Sequence, residues 1–174
     1  LPSITSCAIQ PLTADTDSTL TVAATGWYDA DGDPEQVTFE WYEYDNSAWV
    51  LLTTGTTLDS SLTSRDQQIK ATCTPFNGGG SNTTLGIPVD SSPLSIDNAA
   101  PTLSSCSIAP QNPMTSDDLT VTLSGWSDSD GDPADANYTW FRNGAADTTV
   151  TQATYPAVNT NSGDEITVDC TPYD

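Results

Sequence analysis

The chain has 174 residues and a formal net charge of -21, with three Lys and Arg against 24 Asp and Glu and no His. That charge repels phosphate backbones and anionic lipid surfaces, so nucleic acid is excluded as a partner, and the lack of His removes Ser-His and Cys-His nucleophile chemistry. Abundant Thr, Ser, Gly and Pro, with acid carried mainly by Asp, predicts a turn-rich all-β chain instead of helices.

In chain order, Cys7 and Ile9 open a first strand, and Leu20, Val22 and Ala24 share one face of the next by the period-2 alternation of half-buried strands. The acidic stretch GWYDADGDP follows from Gly26, and Val37, Phe39 and Trp41 alternate again beyond it. Ile69, Ala71 and Cys73 mark a further strand, and TTLGIPVDSSPLSI after it has the length for a hairpin and a last strand. The pattern then restarts. Shifted by 99 positions, residues 2–42 align with 101–141 without a gap, and Pro2, Cys7, Leu20, Gly26, Trp27, Asp29, Asp31, Gly32, Asp33 and Trp41 all meet identical residues. Leu119, Val121 and Leu123, then Tyr138 and Trp140, then Ile166, Val168 and Cys170 repeat the strands. The expected architecture is two tandem immunoglobulin-like antiparallel β-sandwich domains, 1–97 and 98–174. Only TPYD follows Cys170, so the second sandwich is expected to lack its last strand. Two accounts stand side by side: an arbitrary cut from a longer array, or a strand donated by a neighbouring molecule.

Four cysteines allow three pairings, and duplication favours each copy closing itself, Cys7 with Cys73 and Cys106 with Cys170. Disulfides imply an oxidising compartment, and neither CxxC spacing nor His is present for zinc. No run of about eighteen apolar residues and no charged-then-apolar leader occurs, so neither membrane insertion nor a signal peptide within the chain is expected. Without an initiator Met, the chain reads as a mature product or an excised piece.

DADGDP followed by FEW, DSDGDP followed by YTW, and NAAPT at Asn98 carry a resemblance to the PKD and cadherin-like sandwich repeats of large microbial surface proteins. The resemblance covers essentially the whole chain and implies an extracellular array of stacked modules.

The doubled acidic loop raises the question of chemistry. Alternate aspartates turn their oxygens to one side of a tight loop, Gly32 supplies a left-handed turn, and Pro34 starts the next strand. Asp29, Asp31 and Asp33, and again Asp128, Asp130 and Asp132, are therefore candidate calcium ligands, supplying part of the about six to eight oxygens that ion takes. The competing reading is an Asx turn in which the aspartates cap their own backbone. Asp97, at the junction, is a candidate for completing a calcium site between repeats, as cadherin linkers do.

Trp41 and Trp140 are assigned to the core, Trp27 and Trp126 to the rim beside the acidic loops, and Trp49, with Tyr42 and Tyr44, to a local aromatic patch. Asn82 and Asn137 begin N-glycosylation triplets. No cleft with paired carboxylates is suggested, so the chain is not read as an enzyme. The expected role is an extracellular structural protein: a disulfide-stapled, calcium-stiffened building block of a cell-surface adhesin or filament. Its expected partners are other copies or neighbouring repeats of the array, with head-to-tail strand donation as one mode of assembly. The alternative is a pair of carbohydrate-binding modules with glycans as ligands.

Overall fold

The structure, a computed structural model, describes residues 1–77 and 84–174. Apart from 3-10 turns at Ser60–Leu62 and Ala157–Asn159, the regular elements described are strands. Among the described residues no helix is long and apolar enough to cross a membrane. The chain divides into two compact units, Leu1–Ala99 and Ala100–Asp174.

The first unit runs β1 Ser6–Gln10, β2 Ala14–Asp15, β3 Leu20–Thr25, β4 Val37–Asp45, β5 Ala48–Thr54, β6 Thr57–Leu58, β7 Gln68–Asn77, β8 Thr84–Leu85, β9 Val89–Asp90 and β10 Leu94–Asp97. One sheet has the order β1-β3-β6, the other β2-β10-β7-β4-β5, and β8 and β9 also pair with β7. Alternation places Leu20 and Val22 inward and Thr21 and Ala23 outward along β3, as the period of a strand with one wet face requires. Leu20, Trp41, Leu58, Ile69, Ala71 and Cys73 lose all contact with solvent. The indole of Trp41 would strand its N–H in that core, and it donates instead to the Gly55 carbonyl at 2.9 Å. The β4–β5 hairpin turns through Asn46 and Ser47, both at positive φ, the conformation that matches the twist of the strands it joins.

The second unit repeats this plan with β11 Ser105–Ala109, β12 Leu119–Ser124, β13 Asp135–Arg142, β14 Ala145–Ala146, β15 Thr154–Tyr155 and β16 Ile166–Tyr173. Its sheets are β11-β12-β15 and β14-β13-β16. Trp140 donates to the Gln152 carbonyl at 2.9 Å, as Trp41 does to Gly55. Tyr155 pairs with Leu119 of β12 where Leu58 pairs with Leu20 of β3, and its ring lies 5.1 Å from that of Trp140.

Each unit is pinned between its two sheets. Cys7 on β1 bonds Cys73 on β7 with their Cα atoms 5.7 Å apart, and Cys106 on β11 bonds Cys170 on β16 at 6.2 Å. One strand-to-strand contact changes character between the copies. In the first, the Gln67 amide donates to Glu43; at the equivalent place in the second, Arg142 and Asp164 form an ion pair at 2.7 Å.

Candidate functional site

Each acidic loop leaves its sandwich through a glycine held in the left-handed region. Gly26 has φ +71° and Gly125 φ +70°, and a Cβ built on them would lie 2.0 Å from Thr5 Oγ1 and 2.4 Å from Ser104 Oγ. The backbone there needs both the dihedral and the missing side chain. The chain then folds over the first aspartate of the loop. Asp29 Oδ1 accepts from the Asp31 N–H at 2.8 Å, and Asp128 Oδ1 accepts from the N–H groups of Asp130 at 2.8 Å and Asp132 at 3.1 Å. In the second copy the Trp126 indole donates to the Asp132 carbonyl at 3.3 Å and fastens the loop to the rim. The backbone donors, Asp132 first and then Asp130 and Gly131, hold the Asp128 carboxyl below the ordinary carboxylate range.

The first aspartate of each loop uses its two oxygens differently. Oδ1 of Asp29 and of Asp128 caps the backbone, whereas Oδ2 of each is buried without a hydrogen-bond partner. A buried carboxylate oxygen with nothing to bind is costly, and a cation is one way to satisfy it. In the second unit Asp128, Asp132 and Asp174 each bring a carboxylate oxygen within 4.8 Å of the others. That set suits a hard cation with oxygen ligands. Among the described residues it is the one group of three acidic or other metal-binding side chains so close together.

The grouping differs from the expected one. Asp130 does not belong to it, and Asp174, at the end of β16, does. The first unit has Asn77 at the position of Asp174, occupied in accepting the Thr84 N–H at 2.8 Å, and Asp31 and Asp33 are exposed. Asp97 closes β10 in parallel register with Asp15. The pairing of Asp128 with Asp174 bridges two distant strand ends, and the register of CTPFN against CTPYD is the sequence signal that leads to it.

Asn137 is an exposed residue on β13, paired with Thr171; Asn82 lies outside the described residues. Trp49 stacks at 5.2 Å from Tyr44 and receives the Lys70 ammonium 5.1 Å from its ring centre. Trp27 packs against the core of the first unit.

A second feature is the outer edge of β16. In the first unit, β7 pairs with β4 on one side and with β9 and β10 on the other. In the second, β16 pairs with β13, and among the described residues no strand lies along its other edge. Scanned against protein-family models and against curated proteins, the chain finds no match.

Proposed function

We propose that this chain is an extracellular structural protein, a building block of a cell-surface adhesin or filament whose task is to keep its shape. The observation that supports this most is the repeated cross-sheet disulfide, Cys7–Cys73 and Cys106–Cys170, which belongs to oxidising compartments and stiffens small sandwiches that have modest cores. The core tryptophans add to it, since each is anchored by the same bond to a loop carbonyl.

Calcium stiffening is part of the proposal and rests on the second acidic loop, where Asp128, Asp132 and Asp174 converge and Asp128 Oδ2 lacks a partner. An ion held there would tie the loop after β12 to the end of β16. Neighbouring repeats of the array or other copies join the chain end to end, with head-to-tail strand donation as one mode of assembly.

Single-molecule stretching of the oxidised chain tests the structural role. Because the bridges close residues 7–73 and 106–170, only short extensions released at high force are expected, one for each unit. Smooth extension at low force with no events would overturn it. Glycan binding lost in Trp49→Ala would instead favour the carbohydrate-binding alternative.

A further inference from the structure

In the first unit the sheet β2-β10-β7-β4-β5 ends on β5, and among the described residues no strand lies along the outer edge of β5. That strand sits mid-chain, tied to β4 before it and β6 after it, so the open edge is a property of the sandwich itself. Natural sheets blunt such edges by shortening them or by placing charge or proline on them. The second unit does so: its hairpin turns at Asn143 and Gly144 and leaves β14 only Ala145–Ala146. The first does not. There β5 reads AWVLLTT over Ala48–Thr54, and residues 46–58 carry no charge in a chain of net charge -21. Val50 is 44% and Leu51 50% exposed.

The hairpin fixes which backbone groups face outward. Asp45 pairs with Ala48 across the turn at Asn46 and Ser47, followed by Tyr44 with Trp49, Glu43 with Val50 and Tyr42 with Leu51. In such a hairpin the pair next to the turn exchanges both hydrogen bonds, and bonded and non-bonded pairs alternate from there. Ala48 and Val50 therefore direct their backbone groups to β4, while the N–H and C=O of Trp49 and Leu51 point away from it. The side chains of those two residues share a face of the sheet with their partners Tyr44 and Tyr42, and with Lys70, which pairs with Tyr42 from β7. The Trp49 indole is held in place, 5.2 Å from the Tyr44 ring and 5.1 Å from the Lys70 ammonium, so it has little freedom left to lose on association. Past Leu51 the register shifts, which ends the regular edge at Leu52.

We propose that a second copy of this chain occupies this edge, β5 against β5, antiparallel about a two-fold axis at Val50. In that register Trp49 meets Leu51 of the partner subunit, and Leu51 meets Trp49 of the partner subunit, so the outward backbone groups exchange their bonds. Val50 lies opposite Val50 of the partner subunit. The register is self-complementary, an aromatic against an aliphatic side chain on each side of the axis. A stretch without charge neither repels its own copy nor selects a charged strand. The contact also consumes both edges, so assembly through it closes at two. Elsewhere the two chains are acidic, and their repulsion opposes approach until salt screens it. This deepens the building-block reading by naming a surface through which copies meet side by side.

Sedimentation equilibrium of the oxidised 174-residue chain, up to about 1 mM, tests the proposal. A monomer–dimer equilibrium is expected, about tenfold tighter at about 0.5 M salt than at about 0.05 M, the opposite of a contact made by ion pairs. Amide exchange should slow at Trp49 and Leu51 as concentration rises, with Val50, bonded to β4, unchanged. Leu51→Lys, at an exposed position, should weaken the dimer by about tenfold or more. Leu51→Pro should do the same, since that N–H serves the second copy and not β4, and continued protection of the Val50 amide shows that the hairpin has held. Val50→Cys should yield a disulfide-linked dimer under mild oxidation, and Ala23→Cys, at an exposed position on β3, should not. A monomer at every concentration and salt, a dimer indifferent to both Leu51 variants, or protection that appears only away from β5 would overturn the proposal. Any of these leaves the building-block reading standing, because stretching single molecules tests that reading on monomers; smooth extension there sinks the reading whether or not β5 pairs.

Discussion

The phenol of Tyr155 donates to Asp147 Oδ2 at 2.6 Å from a ring with no exposed surface. Burial, and then the bond to Asp147, pushes its pKa up to about 12 from an ordinary value of about 10. The folded state therefore favours the neutral phenol. Its contribution is complete below about pH 10, where the unfolded chain also keeps the proton, and is lost as pH rises through the folded value near 12. Urea unfolding of the second unit at pH 8, 10 and 11 should show stability declining over the last interval by about 1 kcal/mol. Tyr155→Phe should flatten that decline at a cost of about 1 kcal/mol at neutral pH, from the lost hydrogen bond. A decline of the same size in the variant would disprove the assignment.

Calcium should act on the second unit. At about 1 mM calcium its melting transition should rise, by the equivalent of about 1 kcal/mol for a site of about 0.1 mM affinity, and chelator should reverse the gain. Asp128→Asn keeps an oxygen for the backbone caps yet removes charge from the group, so it should abolish the response without unfolding the loop; Asp174→Asn should weaken it. Asn77→Asp, which puts in the first unit the residue that stands as Asp174 in the second, should confer sensitivity where the parent has little. A calorimetric titration without heat, together with unchanged melting, would leave the loops as self-capped turns.

The two disulfides should differ in how fast they are reduced. Cys73 is 0% and Cys7 7% exposed, whereas Cys106 and Cys170 are both partly exposed along the open edge, so a thiol reaches the second bridge first. Mass spectrometry during native reduction should find Cys106–Cys170 opened ahead of Cys7–Cys73. Each bridge spans a sequence separation of 66 or 64 residues, and its loss should cost about 3 to 4 kcal/mol. Simultaneous reduction would mean that burial does not govern access here.

Glycines at the two ends of the same loop should respond unequally. Gly32 has φ +77° with open space around its would-be Cβ, so Gly32→Ala should cost only the dihedral penalty, about 1 kcal/mol. Gly26→Ala meets the same penalty and a contact of 2.0 Å with Thr5 Oγ1, and about 2 to 4 kcal/mol is expected. Combining Gly26→Ala with Thr5→Gly should recover the steric part. Thermal melts of the three variants decide the matter, and equal losses at both glycines would refute the close-packing argument.

The alternation that made the strands readable comes from cores with one wet face, and it brought out β1, β3, β4 and β7 and their copies from sequence alone. The short strands β2 and β6 escaped notice, being two residues each, too brief for any period to register, whereas β8, β9 and β10 fall in the stretch expected to hold a hairpin and a last strand. The parallel pairing of β2 with β10 depends on a chain reversal that no local pattern encodes. In the acidic loops the aspartates at alternate positions were visible, but not their division of labour. Which oxygen caps the backbone and which is left over depends on how the loop closes, and Asp174 joins Asp128 only because β16 ends beside the loop that follows β12.

The exchange of the Glu43–Gln67 hydrogen bond for the Arg142–Asp164 ion pair has a bearing on how two such similar sequences fold side by side. Adjacent near-copies are prone to trading strands during synthesis. A hybrid that set β4 against the segment leading into β16 would bring Glu43 to Asp164, two anions where each correct product has a matched pair. A hybrid of β13 with the segment before β7 would leave Arg142 facing Gln67. The wrong partners are penalised at one inward-turned contact, so each copy is steered toward its own strands.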